Sequence, residues 1–564
     1  MTGTNPQNGF GSEHSAGNAP HQFAPLGTDI KVLLVWPRFP ASFWSFSRML
    51  DLLPQDVLHP PLGLITVAGL CPKNWTLRLI DRNLEKLRDS DILWADLVMV
   101  SGMRIQDADM RDVLQRARAL GKRTIVGGPY ASSQPEALVP LSDHVVVGEP
   151  DEVFESIARD LEAGSAKSLY VVEEKPDVSK TPVPRYDLLK LNKYLSMTVQ
   201  FSRGCPFQCE FCDIITIYGR KPRTKSAEQM LVEFDVLLKQ GWRGRVFVVD
   251  DNFIGNHKRA LELSLKLAEW QKKHGHPFAL FTEASMDLAQ RPALMEAMVR
   301  ANFSSIFLGI ESPSRQSLTE TKKFQNLRED PLECVKMIRS SGLWVTAGFI
   351  VGFDSDSEDI FERQIEFIER AAIPWAMSGF LVALPTTPLY ARLAKEGRLI
   401  ERKRMSNNFK SPNFRTVIPL PRLLNGGRSI LQSIYEPSAY YDRCLRSIED
   451  WGASEYHKPV QPRRDVMVHA LARSIIHQGI LSHYRLAYWK FLFQLLRRWR
   501  RDPQRSALGF NLLLSGHHFI NYARTVTAEM AEEIRNLTDE EARPSLRVNA
   551  GLHSNEPVLA ATPH

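Results

Sequence analysis

The sequence predicts an α/β protein with an N-terminal doubly wound domain, a (β/α)6 partial barrel and a mostly helical C-terminal region. Short runs rich in Val, Ile and Leu alternate with helical segments in two separate stretches, and the alternation stops near residue 400. Continuous apolar strands separated by helices indicate parallel sheets that are covered on both faces. A chain of 564 residues is long enough for several such domains.

Changes in composition divide the chain into six parts. We expect a disordered tail at 1–28, a doubly wound domain at 29–165, a linker at 166–194, a partial barrel at 195–400, a mostly helical domain at 401–540 and a second disordered tail at 541–564. The first tail lacks the basic and apolar regions of an export signal. No stretch approaches the roughly 18 to 20 apolar residues of a membrane-spanning helix. The six scattered cysteines argue against a disulfide framework and favour a cytoplasmic protein.

The predicted doubly wound domain consists of short β-type segments that alternate with helical ones. In order they are "IKVLLVWP", "PPLGLITVAGLC", "LRLIDRN", "ADLVMVSGM", "DMRDVLQRARALG", "RTIVGGP", "DHVVVGE" and "DEVFESIARDLEAG". A ligand of such a fold lies beyond the carboxyl ends of the strands. Those ends carry the segments "WPRFP", "SGMRIQ", "GGPYAS" and "GEPDE".

Six strand and helix repeats make up the predicted partial barrel. Its strand-like segments are "YLSMTVQFSRGC", "RVFVVDDNF", "FALFTEASMD", "SSIFLGIES", "LWVTAGFIVGF" and "WAMSGFLVALP". The active site of a barrel of this kind sits at the carboxyl ends of its strands. Directly after the first strand comes the segment "CPFQCEFC", which holds half of the cysteines of the chain.

The spacing of Cys205, Cys209 and Cys212 indicates a metal centre. A disulfide would use two of these thiols and leave the third unpaired. A structural zinc site needs four closed ligands, and no fourth Cys or His follows before His257. Three thiolates on a cluster of four irons leave one iron open, so we favour an iron–sulfur cluster over zinc.

The "CPFQCEFC" segment on the first loop of a six-unit barrel resembles the radical S-adenosylmethionine (SAM) enzymes. The resemblance covers about residues 195 to 395. It implies that the three cysteines hold a catalytic [4Fe-4S] cluster whose open iron binds SAM. It also implies reductive cleavage of SAM to a 5′-deoxyadenosyl radical, with an electron donor such as ferredoxin or flavodoxin.

The same resemblance implies which further residues contact SAM. They are Phe211 near adenine, Asp250, Asp251 and Asn252 near the methionyl amino group, Glu311 near the ribose, and Glu283 facing SAM or substrate. A carboxylate that faces an ammonium group is suitable chemistry for such a contact. The alternative for each carboxylate is a helix N-cap or a solvated loop. We interpret Arg203 as a counter-charge to the cluster.

A doubly wound domain before such a barrel resembles the cobalamin-binding domain of the cobalamin-dependent (class B) radical SAM enzymes. The resemblance implies that Ser101, Met103, Gln106, Gly127 and Gly128 lie near the corrin. A flavodoxin-like domain with an ordinary glycine turn is the alternative. The Asp-x-His-x-x-Gly motif is absent, and the loop "WPRFPASFWSF" has no histidine, so we expect cobalt to lack a lower protein ligand.

The segments "WPRFPASFWSFSRML" and "ILWADLVMVSGM", with the long C-terminal region, resemble a branch of this family that methylates hopanoids. The resemblance implies methylation at C-2, with SAM used twice and methylcobalamin as methyl donor. One alternative is a related enzyme that methylates or cyclises a tetrapyrrole or natural product. A second alternative is a non-catalytic cobalamin or iron–sulfur sensor.

The C-terminal segment "HYRLAYWKFLFQLLRRWRRDPQR" is typical of an interfacial helix, which predicts peripheral contact with the inner face of the membrane. The alternative is an ordinary helix. Its core would be Trp489, Phe491, Phe493 and Leu496, and its solvated face Arg497, Arg498, Arg500 and Arg501. The same arginines could suit nucleic acid, but an enzyme of this family needs no such contact, so we expect none.

Overall fold

The first domain of the computed structural model is a six-stranded parallel sheet with the order β2-β1-β3-β4-β5-β6. The structure describes residues 24–400, 409–458 and 464–537, so most of both predicted tails lies outside the described residues. The strands are β1 Lys31–Trp36, β2 Thr76–Asp81, β3 Leu97–Ser101, β4 Arg123–Gly127, β5 His144–Val147 and β6 Leu169–Val171. The helices are α1 Ser47–Leu50, α2 Leu62–Leu70, α3 Asp89–Trp94, α4 Asp107–Ala119, α5 Pro129–Ser133 and α6 Phe154–Ala163.

Alternate residues of the central strand β1 pack into two separate cores. Leu33 and Val35 belong to one core, and Val32 and Leu34 belong to the other. Helices cover both faces of the sheet, which explains why the strand is apolar at every position. The sixth strand comes from the segment that the sequence assigns to the linker at 166–194, because "LYV" is too short to be recognised as a strand.

The second domain is a six-stranded, fully parallel sheet with the order β7-β10-β11-β12-β13-β14, as predicted for the barrel. The strands of this domain are β7 Ser196–Val199, β8 Ser202–Arg203, β9 Arg223–Thr224, β10 Gly244–Val248, β11 Phe278–Ala284, β12 Phe303–Glu311, β13 Trp344–Val351 and β14 Ala376–Phe380. Strands β8 and β9 form a small antiparallel pair beside the cysteine segment. Its helices are α7 Ile214–Ile217, α8 Ala227–Lys239, α9 His257–Lys273, α10 Pro292–Arg300, α11 Arg315–Glu320, α12 Pro331–Ser340, α13 Ile360–Arg370 and α14 Pro388–Lys395.

The C-terminal region is helical and packs against the last strand of the barrel. Its helices are α15 Leu420–Ile434, α16 Pro437–Glu449, α17 Arg464–Ser474, α18 Arg485–Trp499 and α19 Pro503–Arg535, with a π-helical turn at Ile475–Ile480. Asp502 caps α19 by accepting hydrogen bonds from two backbone N–H groups of its first turn. No helix within the described ranges is long and apolar enough to cross a membrane.

Helix α18 exposes most of the apolar residues that the core interpretation places inside. Phe491 is buried, as that interpretation expects. Trp489, Phe493 and Leu496 are 43%, 66% and 43% exposed. These exposed residues recur at helical spacing, so α18 has an apolar stripe on its outer side.

The segment 41–60, which follows β1, leaves the first domain and enters the other two. Phe43 packs against the C-terminal residues Tyr435 and Phe519. The Val57 and Leu58 carbonyls accept hydrogen bonds from Leu195 and Ser196 at the first barrel strand. The loop that lacks the cobalt-binding histidine therefore joins all three parts of the chain.

Candidate active site

The cysteine segment begins where the chain turns sharply after β8. Gly204 has a φ of +94°, and a Cβ atom there would lie 2.7 Å from the Gly219 carbonyl oxygen, so only glycine fits. The next residue, Cys205, donates its backbone N–H to that carbonyl. The turn thus fixes the start of the segment at the carboxyl end of β7, where the sequence predicts it.

The three thiols lie in one electrostatic environment. Burial raises the pKa of Cys205 and of Cys212, and the Cys209 sulfur raises both further. Among the residues described, no three His, Cys, Asp or Glu side chains are placed to bind a single metal ion. A cluster binds one thiolate on each iron, so its ligands are spaced more widely than those of one ion. Three thiols on one loop, with no fourth ligand among the described residues, fit a cluster with one open iron.

Gln325 and Lys323, which the sequence analysis did not identify, lie close to these thiols. Gln325 points its side-chain N–H at the Cys209 sulfur, with 3.5 Å between Nε2 and Sγ. Lys323 is buried and forms an ion pair with Glu311. Burial lowers the pKa of Lys323, but Glu311 and the Cys209 and Cys212 sulfurs outweigh burial and raise it. Both residues lie in "TKKFQN", a short segment with no periodic pattern that would have marked it.

The three polar residues after β10 have different environments. Asp250 is fully buried and accepts hydrogen bonds from the Phe201 backbone N–H and the Ser202 hydroxyl, at 2.8 and 2.6 Å. Its carboxylate therefore braces the segment that leads to the cysteines. Asn252 bonds to Ser285 and lies within hydrogen-bonding reach of Cys205.

Asp251 is the carboxylate of this group that stays open to a ligand. Within the described residues it forms no ion pair. Burial, Asp250 and Asp213 raise its pKa to about 7. A half-buried carboxylate beside Cys205, without a cation, fits an ammonium group.

Glu283 and Glu311 end the next two strands. Burial, Asp251 and Glu311 raise the pKa of Glu283 to about 8, and Glu283 has no ion pair among the described residues. Glu311 lies at a β-bulge, with a left-handed φ of 66° that a non-glycine residue adopts at a cost. Because Lys323 already binds Glu311, this carboxylate is less open to a ligand than Glu283.

Phe211 lies within the cysteine segment and packs on the far side of Lys323. Its ring centroid is 6.1 Å from that of Phe353, and the Lys323 Nζ lies 5.8 Å from the Phe211 ring centroid. The ring is half-buried, so part of it stays exposed at this end of the barrel. The structure thus brings Phe211, Asp251 and Glu283 to the same end of the barrel as the thiols.

Aromatic side chains line the inner face of the barrel below the carboxylates. Phe247 and Phe281 stack in parallel with centroids 4.7 Å apart, and the His59 ring lies 5.2 Å from Phe247. Trp44 reaches the inner face from the first domain, and its ring lies 5.1 Å from Phe307. Although it lies against this wall, Trp44 is 47% exposed, so open space adjoins it.

The carboxyl ends of the first-sheet strands face the barrel, and mainly small side chains line them. Gly128 has a φ of +90°, and a Cβ atom there would lie 2.4 Å from the Ser101 hydroxyl. At Gly127 a Cβ atom would make only ordinary contacts, at 3.7 Å or more. Met103 is exposed at this edge, which fits a bulky ring with little charge.

Gln106 is placed differently from the other predicted residues of this edge. Its side chain is buried, its Nε2 donates to the Pro37 carbonyl, and its Oε1 accepts from the Met103 backbone N–H. Both polar groups of the amide are therefore used by the backbone. Gln106 shapes the edge and presents no free group to a ligand.

Charged residues join the two edges. The Arg203 guanidinium lies 2.8 Å from both Glu149 and Asp151 of the "GEPDE" segment, and Arg223 also binds Glu149. Burial lowers the pKa of Arg203, but the two carboxylates outweigh it and raise the pKa. The interpretation of Arg203 as a counter-charge to the cluster is therefore wrong, because first-domain carboxylates take its donors.

Family models match all three parts of the chain. The B12 binding domain matches residues 56–158, the radical SAM superfamily matches residues 199–368, and a domain of unknown function (DUF4070) matches residues 387–532. An uncharacterized methyltransferase of Synechocystis sp., sll1242, is 42% identical over 90% of this chain and 94% of its own length. The hopanoid C-2 methylase of Rhodopseudomonas palustris is 36% identical over 88% of this chain and 94% of its own length.

A solved structure has the same fold. The cobalamin-dependent S-adenosylmethionine radical enzyme OxsB, with aqua-cobalamin and S-adenosylmethionine bound, aligns with a TM-score of 0.55 and 16% identity. The alignment covers 91% of this chain and 82% of that one. The match therefore extends over both sheets and into the helical region.

Proposed function

The chain belongs to the cobalamin-dependent radical SAM methyltransferases, and from that premise we propose that it methylates a hopanoid at C-2. The observation that carries the proposal is the aromatic inner face of the barrel, where Trp44 borders open space. Saturated fused rings offer a protein little but apolar surface, and aromatic walls bury such surface well. The similarity to the hopanoid C-2 methylase of R. palustris supports the same substrate, because it extends over 88% of this chain.

The strand ends of the barrel would hold the cluster and SAM, and those of the first sheet would hold cobalamin. Cys205, Cys209 and Cys212 would hold a [4Fe-4S] cluster, Asp251 and Asn252 the amino group of SAM, and Phe211 its adenine. Gly127, Gly128, Ser101 and Met103 would face the corrin. When bound, these groups supply hydrogen abstraction from an unactivated carbon and transfer of a methyl group.

The residues of the chain itself orient the reactants and exclude water. Asp250 holds the cysteine segment in place, Lys323 stays charged near the sulfurs, and Gln325 donates to Cys209. Glu283, with a pKa of about 8, is mostly protonated at neutral pH and can donate a hydrogen bond at the carboxyl end of the barrel. The Arg203 ion pairs hold the corrin edge against the barrel edge.

Expression in a hopanoid-producing bacterium that lacks its own C-2 methylase tests the substrate. The wild-type protein should give 2-methylhopanoids by mass spectrometry of the membrane lipids, and the Cys209→Ala variant should give none. Absence of methylated hopanoids, while the purified protein releases 5′-deoxyadenosine, would favour another substrate such as a tetrapyrrole. If the reconstituted protein releases no 5′-deoxyadenosine, the sensor alternative gains support.

We also propose that the C-terminal helices bind the inner face of the membrane, where such a lipid resides. The α18 stripe of Leu486, Trp489, Phe493 and Leu496 is exposed, with Leu486 82% exposed. From Arg473 to Arg501 inclusive, the sequence has seven Lys and Arg and no Asp or Glu, as large a charge as the net +7 of the whole chain. An apolar stripe edged by cations suits the interface of an anionic bilayer.

Vesicle sedimentation tests the membrane proposal. Wild-type protein should bind vesicles containing phosphatidylglycerol, and Phe493→Gln should weaken binding roughly tenfold because a large apolar side chain no longer enters the interface. Leu265→Gln is the matched control, since Leu265 is 45% exposed on α9 and far along the chain from the stripe. Equal binding by both variants and the wild type, or a stable dimer through the stripe in analytical ultracentrifugation, would contradict the proposal.

A further inference from the structure

Arg245 lies on the inner face of the barrel, and no described residue pairs with it as a partner of opposite charge. Its Cζ atom is 4.8 Å from the ring centroid of Phe281, so the guanidinium stacks on the aromatic wall. Within the part of the chain that the structure describes, its side chain has neither a carboxylate partner nor a hydrogen bond. His59 lies against the same wall, with its ring 5.9 Å from Phe281 and its Nδ1 2.7 Å from the Ser196 hydroxyl.

In the described parts of the chain, the arginines with buried side chains are paired with carboxylates, which sets Arg245 apart. The paired examples are Arg203 with Glu149 and Asp151, Arg339 with Asp450, and Arg443 with Glu369. Burial lowers the pKa of Arg245 to about 10, and no carboxylate counteracts that effect. An uncompensated charge in an apolar wall costs stability. Arg245 keeps part of its side chain exposed, so its unused N–H donors can receive acceptors from a ligand.

The strand register places Arg245 at the opposite end of the barrel from the cysteines. Arg245 pairs with Ala279 of β11, and Glu283 follows four residues later on the same face. At roughly 3.3 Å per residue, the two side chains are about 13 Å apart along the strand. Phe247 and Phe281 line the wall between these two levels, and Phe307 lies at the level of Glu283.

We propose that Arg245, with His59 beside it, binds an oxygen-bearing end of the substrate while the target carbon lies near Glu283 and the thiols. The inference rests on the proposed function and specifies its substrate: a polycyclic lipid with a hydroxylated or otherwise oxygenated tail, bound lengthwise. Five N–H donors on a rigid fork suit several hydroxyl oxygens or one carboxylate. The aromatic wall then contacts the fused rings, and the polar tail fixes which ring carbon reaches the cofactors.

A pair of substrates tests the inference with reconstituted enzyme under anaerobic conditions. One substrate is a hopanoid with a polyhydroxylated tail, and the other is the hydrocarbon with the same rings and no oxygen. Arg245→Met should raise KM for the hydroxylated substrate roughly tenfold or more, because a charge-assisted hydrogen bond is lost. KM for the hydrocarbon should stay within about twofold, and Arg245→Lys should restore part of the discrimination.

The controls separate this inference from the proposed function. Arg243→Met removes an exposed arginine two residues earlier and should change neither KM. Since Arg245→Met removes an unpaired buried charge, its Tm should equal or exceed that of the wild type. Equal changes in KM for both substrates, or wild-type activity confined to the hydrocarbon, would overturn the inference. Wild-type methylation of neither substrate would instead overturn the proposed function.

Discussion

The carboxyl ends of the barrel strands and those of the first-sheet strands face each other, and the two ends are built from different kinds of residue. We call them the barrel edge and the corrin edge. The barrel edge has three thiols and several carboxylates, and burial raises the pKa of Asp251 and Glu283 to about 7 and 8. The edge of the first sheet has a glycine with a left-handed φ, a serine and an exposed methionine, and its buried glutamine forms hydrogen bonds with the backbone. Charge and metal ligands define the first site, whereas backbone shape defines the second. Substitutions at the barrel edge should therefore impair cluster binding, whereas substitutions at the corrin edge should impair the fit of cobalamin.

Loss of a thiol should have the largest effect. Cys209→Ala should abolish release of 5′-deoxyadenosine and lower the iron content of the reconstituted protein, because two thiolates cannot hold a cluster that needs three. The measurement is product analysis by liquid chromatography with an iron assay. Cys71→Ala is the control, since Cys71 is a free cysteine of the first domain. Full activity of the Cys209 variant would contradict the account of the barrel edge.

Bulk at Gly128 should have the next largest effect and should act on the other edge. Gly128→Val forces a side chain onto the Ser101 hydroxyl at a left-handed backbone position, so we expect cobalamin affinity to fall by at least tenfold. Cobalamin uptake followed by its visible absorption measures the loss.

Gly63→Ala provides the matched control for Gly128. A Cβ atom at the exposed Gly63 of the same domain meets nothing within 4 Å, so cobalamin uptake should stay near that of the wild type. If both variants bind cobalamin equally, shape does not govern this edge.

Removal of Arg203 should weaken the junction between the edges. Arg203→Met leaves Glu149 and Asp151 without that partner in a buried site, which should lower the free energy of unfolding by about 3 to 5 kcal/mol. Chemical denaturation measures the change. Lys180→Met breaks an exposed ion pair with Glu152 and should lower the free energy of unfolding far less than Arg203→Met does. Equal losses in the two variants would show that the Arg203 ion pairs do not hold the two domains together.

The smallest predicted effect concerns the pH dependence set by Glu283. Its pKa rises from an ordinary 4.5 to about 8 on folding, so the linked stability is fully present below pH 4.5 and is lost as the pH rises through 8. Glu283→Gln should therefore raise Tm at pH 9 by a few degrees over the wild type and change it little at pH 4.5.

The exposed Glu362→Gln substitution is the control for Glu283 and should leave Tm unchanged at both pH values. Differential scanning calorimetry of the cofactor-free protein measures both variants. A Tm difference for Glu283→Gln that does not grow with pH would show that its carboxyl is not held protonated by the fold.

The sequence predicts strands and the cysteine segment well because both depend on local patterns. Six apolar segments become the six barrel strands, and Cys205 follows the first of them as expected. Residues brought in from far along the chain are not predictable in this way. Trp44 enters the barrel from the first domain, and Lys323 reaches Glu311 through an irregular segment. Arg245 is one residue of strand β10, and its sequence position gives no sign of a function. It becomes a candidate because it has no ion-pair partner among the described residues.

The most direct test of the account is an anaerobic reaction of the reconstituted enzyme with a desmethyl hopanoid and SAM that carries a deuterated methyl group. We predict a hopanoid with one added CD3 group at C-2, together with 5′-deoxyadenosine, and loss of both products in Cys209→Ala. Loss of only the methylated product is expected in Gly128→Val, because that variant disrupts the corrin edge alone. Release of 5′-deoxyadenosine by the wild-type enzyme with no labelled hopanoid would contradict the central claim.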